Sequence, residues 1–181
     1  FKIIEDSSHA LGAKYSNSII GDCKFSEMNI FSFHPVKIIT TGEGGMITTN
    51  NKKYFEKLKM LRSNGIIKNF KNKPDWYYEQ RSIGFNFHMT EIQASLGITQ
   101  LQNLRSWINK RNKIASEYNK YLNPLSIKTP TVTINSNSSF HLYVIMLENK
   151  KLRDGLFKFL KKKKSNVIST IYLFINIHFI K

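Results

Sequence analysis

Phe31-Ser32-Phe33-His34-Pro35-Val36-Lys37 joins the end of a predicted strand to a lysine, and this segment decides how the rest of the chain is interpreted. The strand is predicted at Asn29–Phe33. The Gly-rich segment Gly42–Gly45 predicts a turn, and Met46–Thr49 predicts a second strand that pairs with the first as a hairpin. In α/β folds ligands bind where strands end, so Lys37 lies where a functional site is expected.

Strands and helices alternate along the rest of the chain, which is typical of an α/β fold. A helix is predicted over Asn51–Arg62, with a glycine stop at Gly65. The capping-box pattern Thr90–Gln93 starts a long helix that runs to about Leu122. The remaining predicted elements are a buried strand at Phe1–Asp6, a polar and aromatic loop at Gly65–Gly84, a strand at Phe140–Leu147 and an amphipathic helix at Leu152–Leu160. The buried stripe of the long helix is predicted to be Ile92, Leu96, Leu104, Ile108, Tyr118 and Tyr121.

Lys37 and Asp6 are the candidates for chemistry at predicted strand ends. A desolvated lysine loses its proton more easily and can attack a carbonyl, although position alone favours an ordinary surface lysine, one of 23 in the chain. Asp6 ends an apolar strand, and a buried carboxylate there needs a cationic or hydrogen-bonding partner, such as a protonated pyridine nitrogen. A helix cap for the residues from Ser7 onward is the alternative, and the spacing does not separate the two.

His9, His34 and Asn86 are further candidates with less support from the residues around them. Either histidine can act as an acid, a base or a ligand. No metal-binding pattern accompanies them, so no metal site is expected, and each histidine by itself is interpreted as packed or solvated. Asn86 precedes a predicted helix start, where anions bind well, and a turn asparagine is the alternative.

The chain is strongly basic, with 28 lysines and arginines against 12 acids and a formal net charge of +16. Such a charge suggests nucleic acid or an anionic membrane as partner. However, there are 23 lysines and only 5 arginines, beside 23 isoleucines and 18 asparagines. Because phosphate-binding proteins use arginine freely, we interpret the charge as the codon bias of an A/T-rich gene. A basic nucleic-acid or membrane-surface binding module without catalysis is the alternative.

The lone cysteine, Cys23, excludes a disulfide framework and a cysteine-rich zinc site. A single free thiol is compatible with a reducing compartment. We therefore expect a cytoplasmic location.

Three motifs occur in a recognisable order along the chain. They are Ile4-Glu5-Asp6-Ser7-Ser8-His9-Ala10-Leu11-Gly12, then Phe31 to Lys37 with Thr41-Gly42-Glu43-Gly44-Gly45, and then Gly84-Phe85-Asn86 through Met89-Thr90-Glu91-Ile92-Gln93. Together they resemble the DegT/StrS group of nucleotide-sugar aminotransferases. The resemblance implies an α/β fold of the aspartate-aminotransferase-like type (PLP fold type I), with pyridoxal 5′-phosphate (PLP) as cofactor.

The resemblance also implies roles for single residues. Lys37 matches the lysine that holds PLP through its amino group and shuttles the proton during transfer. Asp6 matches the carboxylate paired with the pyridinium nitrogen, which keeps the ring an electron sink. The other matches are His9 near the 3-hydroxyl of the cofactor, Ser32 at its phosphate, Asn86 at the phosphate of the neighbouring subunit, and His34 in the sugar pocket.

Within the group, the Ser-Phe-His-Pro-Val-Lys version of the motif and the segment Arg62-Ser63-Asn64-Gly65 look most like transaminases of the pseudaminic acid type of pathway. The implied reaction moves an amino group from L-glutamate to C4 of a UDP-4-keto-6-deoxy-N-acetyl-hexosamine. The implied partners are the UDP-sugar, L-glutamate and a second copy of the chain in a homodimer, with no nucleic acid and no membrane.

The resemblance implies a truncated form of this fold. Residues 1–103 match the C-terminal part of the PLP-binding large domain, and residues 104–181 match an incomplete small α/β domain. The N-terminal part of the large domain, with its phosphate loop, is expected to be missing, so the chain is expected to be an inactive fragment. The run Lys161–Lys164 suggests a frameshift, and residues 165–181 are therefore expected to be aberrant.

Overall fold

The computed structural model describes residues 1–68, 70–125 and 127–165, which fall into two compact units. The first unit comprises Phe1–Tyr118 and Thr131–Tyr143. The second comprises the described residues of Asn119–Pro130 and those from Val144 onward. The boundary between residues 103 and 104 stays a prediction, and the tail predicted to be aberrant lies outside the described residues apart from Ser165.

The described residues form eight strands and three helices. The strands are β1 (Ile4–Asp6), β2 (Lys14–Tyr15), β3 (Ser18–Ile19), β4 (Met28–Ser32), β5 (Gly45–Thr48), β6 (Ile66–Lys68), β7 (Tyr78–Gln80) and β8 (Ser136–Asn137). The helices are α1 (Lys52–Arg62), α2 (Glu91–Leu122) and α3 (Lys150–Lys162). The strands pair as a three-stranded sheet β1-β4-β5, a second sheet β3-β2-β8 and the hairpin β6-β7.

The sheet β1-β4-β5 positions the candidate residues of the first unit. β1 runs parallel to β4, with Asp6 opposite Ile30. β5 pairs antiparallel with β4, with Ser32 opposite Gly45, which confirms the predicted pairing of these two strands. Because parallel strands end at the same edge of a sheet, Asp6 and the chain that leaves Ser32 lie at one edge.

The core of the first unit forms on one side of this sheet. Phe31, Phe33 and Ile39 are buried together. The partly buried residues packed against them are Leu11, Ile20, Leu104 and Trp107. Leu104 and Trp107 belong to α2, so this helix packs against the apolar side chains at the end of β4 and just after it.

Two predictions of burial are wrong. The strand predicted to be buried at Phe1–Asp6 is β1, which lies at the sheet edge with mostly exposed residues. In α2, Ile108 is the member of the predicted stripe that is buried, whereas Ile92 is 84% exposed and Tyr121 is 69% exposed. The apolar pattern identifies the helix correctly, but in the described residues only the middle of that face meets the core.

The predicted starts of α1 and α2 are confirmed, and a local cap sets each of them. The side chain of Asn51 accepts from the amides of Lys53 and Tyr54 and caps α1. At the start of α2, Thr90 Oγ1 accepts from Gln93 N at 3.3 Å and Gln93 Oε1 accepts from Thr90 N at 2.9 Å, which is the reciprocal capping box.

Two segments differ from their predicted type. The predicted loop Gly65–Gly84 contains the hairpin of β6 and β7, with Ile66 opposite Gln80. Among the described residues, the predicted strand Phe140–Leu147 forms no ladder, and its strand-like contact is a single bridge between Lys128 and Met146. An apolar run alone does not distinguish a paired strand from an extended segment without a neighbour.

Candidate active site

Asp6 ends β1 in a tight polar turn rather than capping a helix. Its Oδ1 accepts from Ser8 N at 3.0 Å and from Ser8 Oγ at 2.5 Å. The hydrogen bond from the Ser8 hydroxyl, followed by that from the Ser8 amide, lowers the pKa of Asp6, and the charges of His9 and Lys37 lower it further. Asp6 is therefore an ionised, exposed carboxylate at neutral pH, suited to pairing with a cation.

Lys37 lies on the loop 33–44, which leaves β4 and returns to β5. Phe33 N donates to Gly44 O at 2.8 Å and closes the loop at its base. Ile39 is 4% exposed and anchors the loop in the core. Lys37 is half-buried, and its backbone belongs to this anchored loop.

Helix α2 fixes the same loop from outside the sheet. Thr40 N donates to Gln100 Oε1 at 3.1 Å, and Gln93 Nε2 donates to Glu43 O at 3.0 Å. Both contacts join the loop to the first turns of α2. The loop that carries Lys37 is thus held at its base, in the core and along a helix.

Ser32 and His34 lie on either side of the point where the chain leaves the sheet. His34 N donates to Ser32 Oγ at 3.4 Å. His34 Nδ1 accepts from Val36 N at 3.3 Å, and its Nε2 lies 3.9 Å from Glu43 Oε1. Among the described residues, the exposed His34 is thus joined to the end of β4 and to its own loop.

His9 packs against a residue that the sequence reasoning missed, His141. The two ring centroids are 4.3 Å apart and the rings are tilted by 50°. Burial, followed by the charges of His9, Lys37 and Arg111, lowers the pKa of His141 to about 4. His141 therefore belongs to the same cluster as Asp6, His9 and Lys37. The available signal was a histidine at the head of an otherwise apolar run.

Asn86 lies apart from this cluster. Residues 85–87 run beside the end of α1, where Ser63 and Asn86 form a bridge and Phe85 N donates to Leu61 O at 2.7 Å. The Asn86 side chain is exposed, and no hydrogen bond among the described residues joins it to Asp6, His9 or Lys37. A role for Asn86 in a neighbouring subunit stays a prediction.

Neither a metal-binding group of side chains nor a membrane-spanning helix occurs in the described part of the chain. Within residues 1–68, 70–125 and 127–165, no three histidine, cysteine or acidic side chains are grouped as a metal would require. No helix in those ranges has the length and apolar character needed to cross a bilayer.

Comparison with known proteins identifies the family. The sequence model of the DegT/DnrJ/EryC1/StrS aminotransferase family matches residues 1–181. This chain belongs to that family. Among curated relatives of this DegT-family chain, the UDP-4-amino-4,6-dideoxy-N-acetyl-beta-L-altrosamine transaminase of Campylobacter jejuni is 40% identical over 151 residues, which are 80% of this chain and 37% of that protein.

Solved structures agree with the family and the fold of this DegT-family chain. Helicobacter pylori PseC, an aminotransferase involved in the biosynthesis of pseudaminic acid, matches 90% of this chain and 43% of its own with a TM-score of 0.81 at 35% identity. The sugar aminotransferase Spr1654 of Streptococcus pneumoniae, in its PLP form, matches 90% of this chain and 42% of its own with a TM-score of 0.79 at 29% identity. The predicted family and the fold type I architecture are confirmed.

The DegT-family chain spans less than half the length of the curated relatives that it matches. PLP is the cofactor of the family, and Spr1654 has been solved in both its PLP and its PMP form. The residues of the cluster suit such a group. An ionised carboxylate, a half-buried lysine and a hydroxyl at the end of β4 are the kinds of group that could hold a pyridinium, an aldehyde and a phosphate.

Proposed function

We propose that this chain carries the lysine-bearing part of a PLP-dependent nucleotide-sugar transaminase. The reaction converts L-glutamate and a UDP-4-keto-6-deoxy-N-acetyl-hexosamine into 2-oxoglutarate and the 4-amino sugar. The observation that carries the proposal is the grouping of Lys37, His9 and ionised Asp6 at one sheet edge. The likeness to the altrosamine transaminase and to PseC supports the substrate class.

Each residue of the cluster has a separate proposed task. PLP, when bound, supplies an aldehyde that takes up the amino group and a pyridinium ring that withdraws electrons. Asp6 holds the proton on the pyridinium nitrogen through its negative charge. Lys37 Nζ takes and returns the proton at the reacting carbon of the substrate. Ser32 offers a hydroxyl to the phosphate, His9 lies at the 3-hydroxyl, and His34 faces the sugar at the rim.

A homodimer and a cytoplasmic location belong to the same proposal. The exposed Asn86 is assigned to the phosphate site of a second copy of the chain. The exposed rings of Phe85 and Phe87 on either side of it support an interface there. The free thiol of Cys23 fits a reducing compartment.

Reductive trapping of PLP tests the assignment of Lys37. The 181-residue chain is incubated with excess PLP, reduced with borohydride and digested, and the modified lysines are identified by mass spectrometry. We expect weak binding of PLP, because the phosphate loop is expected to be missing. Lys37 should still be labelled ahead of the other lysines, because Asp6 and Ser32 are proposed to lie next to the cofactor. Asp6→Asn keeps the shape of the side chain but removes the charge, and should lower the labelling at Lys37.

Lys24 is the matched control, because it is an exposed lysine of the same unit. Lys24→Ala should leave labelling at Lys37 unchanged. Equal labelling of all lysines, with no effect of Asp6→Asn, would contradict the proposal. The isolated chain is proposed to be inactive toward the sugar substrate because it spans less than half of its relatives, so sustained turnover would contradict that part alone.

A further inference from the structure

The contact between His9 and His141 joins two segments far apart in the chain. The ring centroids lie 4.3 Å apart with a tilt of 50°, so the rings are in van der Waals contact without being stacked. His9 lies three residues after the end of β1, and His141 lies four residues after the end of β8. None of the roles implied by the motifs or by the family accounts for His141.

The backbone around His141 is fixed to α2 by side-chain hydrogen bonds. Arg111 Nη1 donates to Phe140 O at 3.1 Å and to His141 O at 3.3 Å. The next residue of α2, Asn112, donates through its Nδ2 to Ser138 O at 2.9 Å. Phe140 adopts a left-handed backbone with φ of 44°, which a bulky residue rarely does unless its surroundings hold it there.

The same segment is tied to the backbone of His9. Ser139 is 1% exposed, and its Oγ donates to His9 O at 3.1 Å. The main chain at His9 is therefore fixed from one side by Ser139, and its ring is covered by His141. An exposed histidine on a turn would otherwise change rotamer freely.

His141 also has a polar atom without a partner. Its Nδ1 is buried and makes no hydrogen bond within the described residues. The charged and titratable groups that face the ring are His9 after β1, Lys37 on the loop 33–44 and Arg111 on α2, and with burial they lower the pKa of His141 to about 4. The ring is therefore neutral at physiological pH, so it packs on His9 without adding a positive charge beside Lys37.

We propose that His141 is a positioning residue of this site, whose ring holds the imidazole of His9 in one orientation beside Asp6 and Lys37. The use of that orientation in amino transfer rests on the proposed function. The orientation itself does not, because it is set by contacts within the chain.

Nuclear magnetic resonance of the histidine rings in the 181-residue chain tests the orientation. In the wild type we expect cross-relaxation between the His9 and His141 rings and side-chain couplings of His9 that indicate one rotamer. His141→Ala should shift the His9 ring signals and average those couplings. His141→Phe retains a ring and should restore the single rotamer. His88→Ala, at an exposed histidine, is the control and should leave His9 unchanged.

A pH titration tests whether the His141 ring is buried in this contact. The His141 ring signals should stay constant from neutral pH down to about 5 and change only near its pKa of about 4. Titration of His141 at the ordinary histidine value would overturn the proposal. Absence of cross-relaxation between the two rings in the wild type would also overturn it, whether or not the alanine variant folds.

PLP trapping at Lys37 then connects the orientation to the site. We expect His141→Ala to lose labelling at Lys37 relative to the wild type, and His141→Phe to retain it. If the wild type itself shows no preference for Lys37, the proposed function fails while the ring measurements still decide the orientation. If labelling is preferential and equal in all three proteins, the positioning role is overturned.

Discussion

At the scale of the single residue, Ser8 lowers the pKa of Asp6. Its hydroxyl and its amide donate to the same carboxylate oxygen, at 2.5 and 3.0 Å. These bonds favour the ionised form and lower the pKa of Asp6 below 3.8. Ser8→Ala removes the hydroxyl alone, so we expect the pKa of Asp6 to rise toward its ordinary value in a carbon NMR titration of the side-chain carboxyls.

A second carboxylate, Asp22, supplies an internal control. Its pKa is also lowered, first by the hydroxyl of Ser18, and it should not respond to Ser8→Ala. Because a depressed pKa stabilises the fold only while the carboxylate is ionised, the stability difference between wild type and variant should be complete above pH 3.8 and vanish as the pH falls through the lower folded pKa. An Asp6 pKa that does not change would contradict this assignment.

At the scale of the element, Gly65 follows the end of α1 in a backbone conformation that residues with a side chain rarely adopt. Its φ is +72°, and a Cβ there would lie 1.8 Å from the carbonyl oxygen of Ser82. Because that atom belongs to the backbone, no rotamer change relieves the clash. Gly65→Ala should therefore lower the free energy of unfolding by more than about 2 kcal/mol in urea denaturation.

Gly155, inside α3, is the matched control for that substitution. A Cβ there meets nothing within 4 Å. Gly155→Ala should raise the stability of its helix by about 0.5–1 kcal/mol, because alanine is the better helix former. Helix content followed by circular dichroism during heating measures both variants, and equal effects of the two would contradict the difference in their surroundings.

Features that depend on nearby residues were predicted from the sequence better than features that depend on long-range contacts. The predicted helix start at Asn51 and the predicted capping box at Thr90 are confirmed, because each depends on residues within one turn. The hairpin of β6 and β7 was missed because polar and aromatic residues hide its pairing. His141 was missed because its place beside His9 depends on a long-range contact. The hydrogen bond from Ser139 to His9 spans 130 positions, and no local sequence pattern predicts it.

At the scale of the whole molecule, the described residues expose an apolar surface around Asn86. Phe85 and Phe87 stack with centroids 4.8 Å apart and are 55% and 68% exposed. Exposed aromatic pairs of this kind are typical of interfaces. We expect sedimentation to show association that increases with concentration, and Phe87→Ser to weaken it.

Ile134 provides the control for that experiment, since it is fully exposed elsewhere in the first unit. Ile134→Ser should leave the association unchanged. Equal sedimentation of both variants and the wild type would contradict an interface at Phe87.

The loop 33–44 has a consequence for how variants of this chain would behave. Ile38 and Ile39 are buried immediately after Lys37, so the proposed cofactor-binding lysine is continuous in the chain with residues packed in the interior. A change of side-chain volume at Ile39 would displace Lys37 as well as loosen the core. A substitution in this part of the chain would therefore change both the thermal stability of the fold and the position of the Lys37 amine, and neither would change alone.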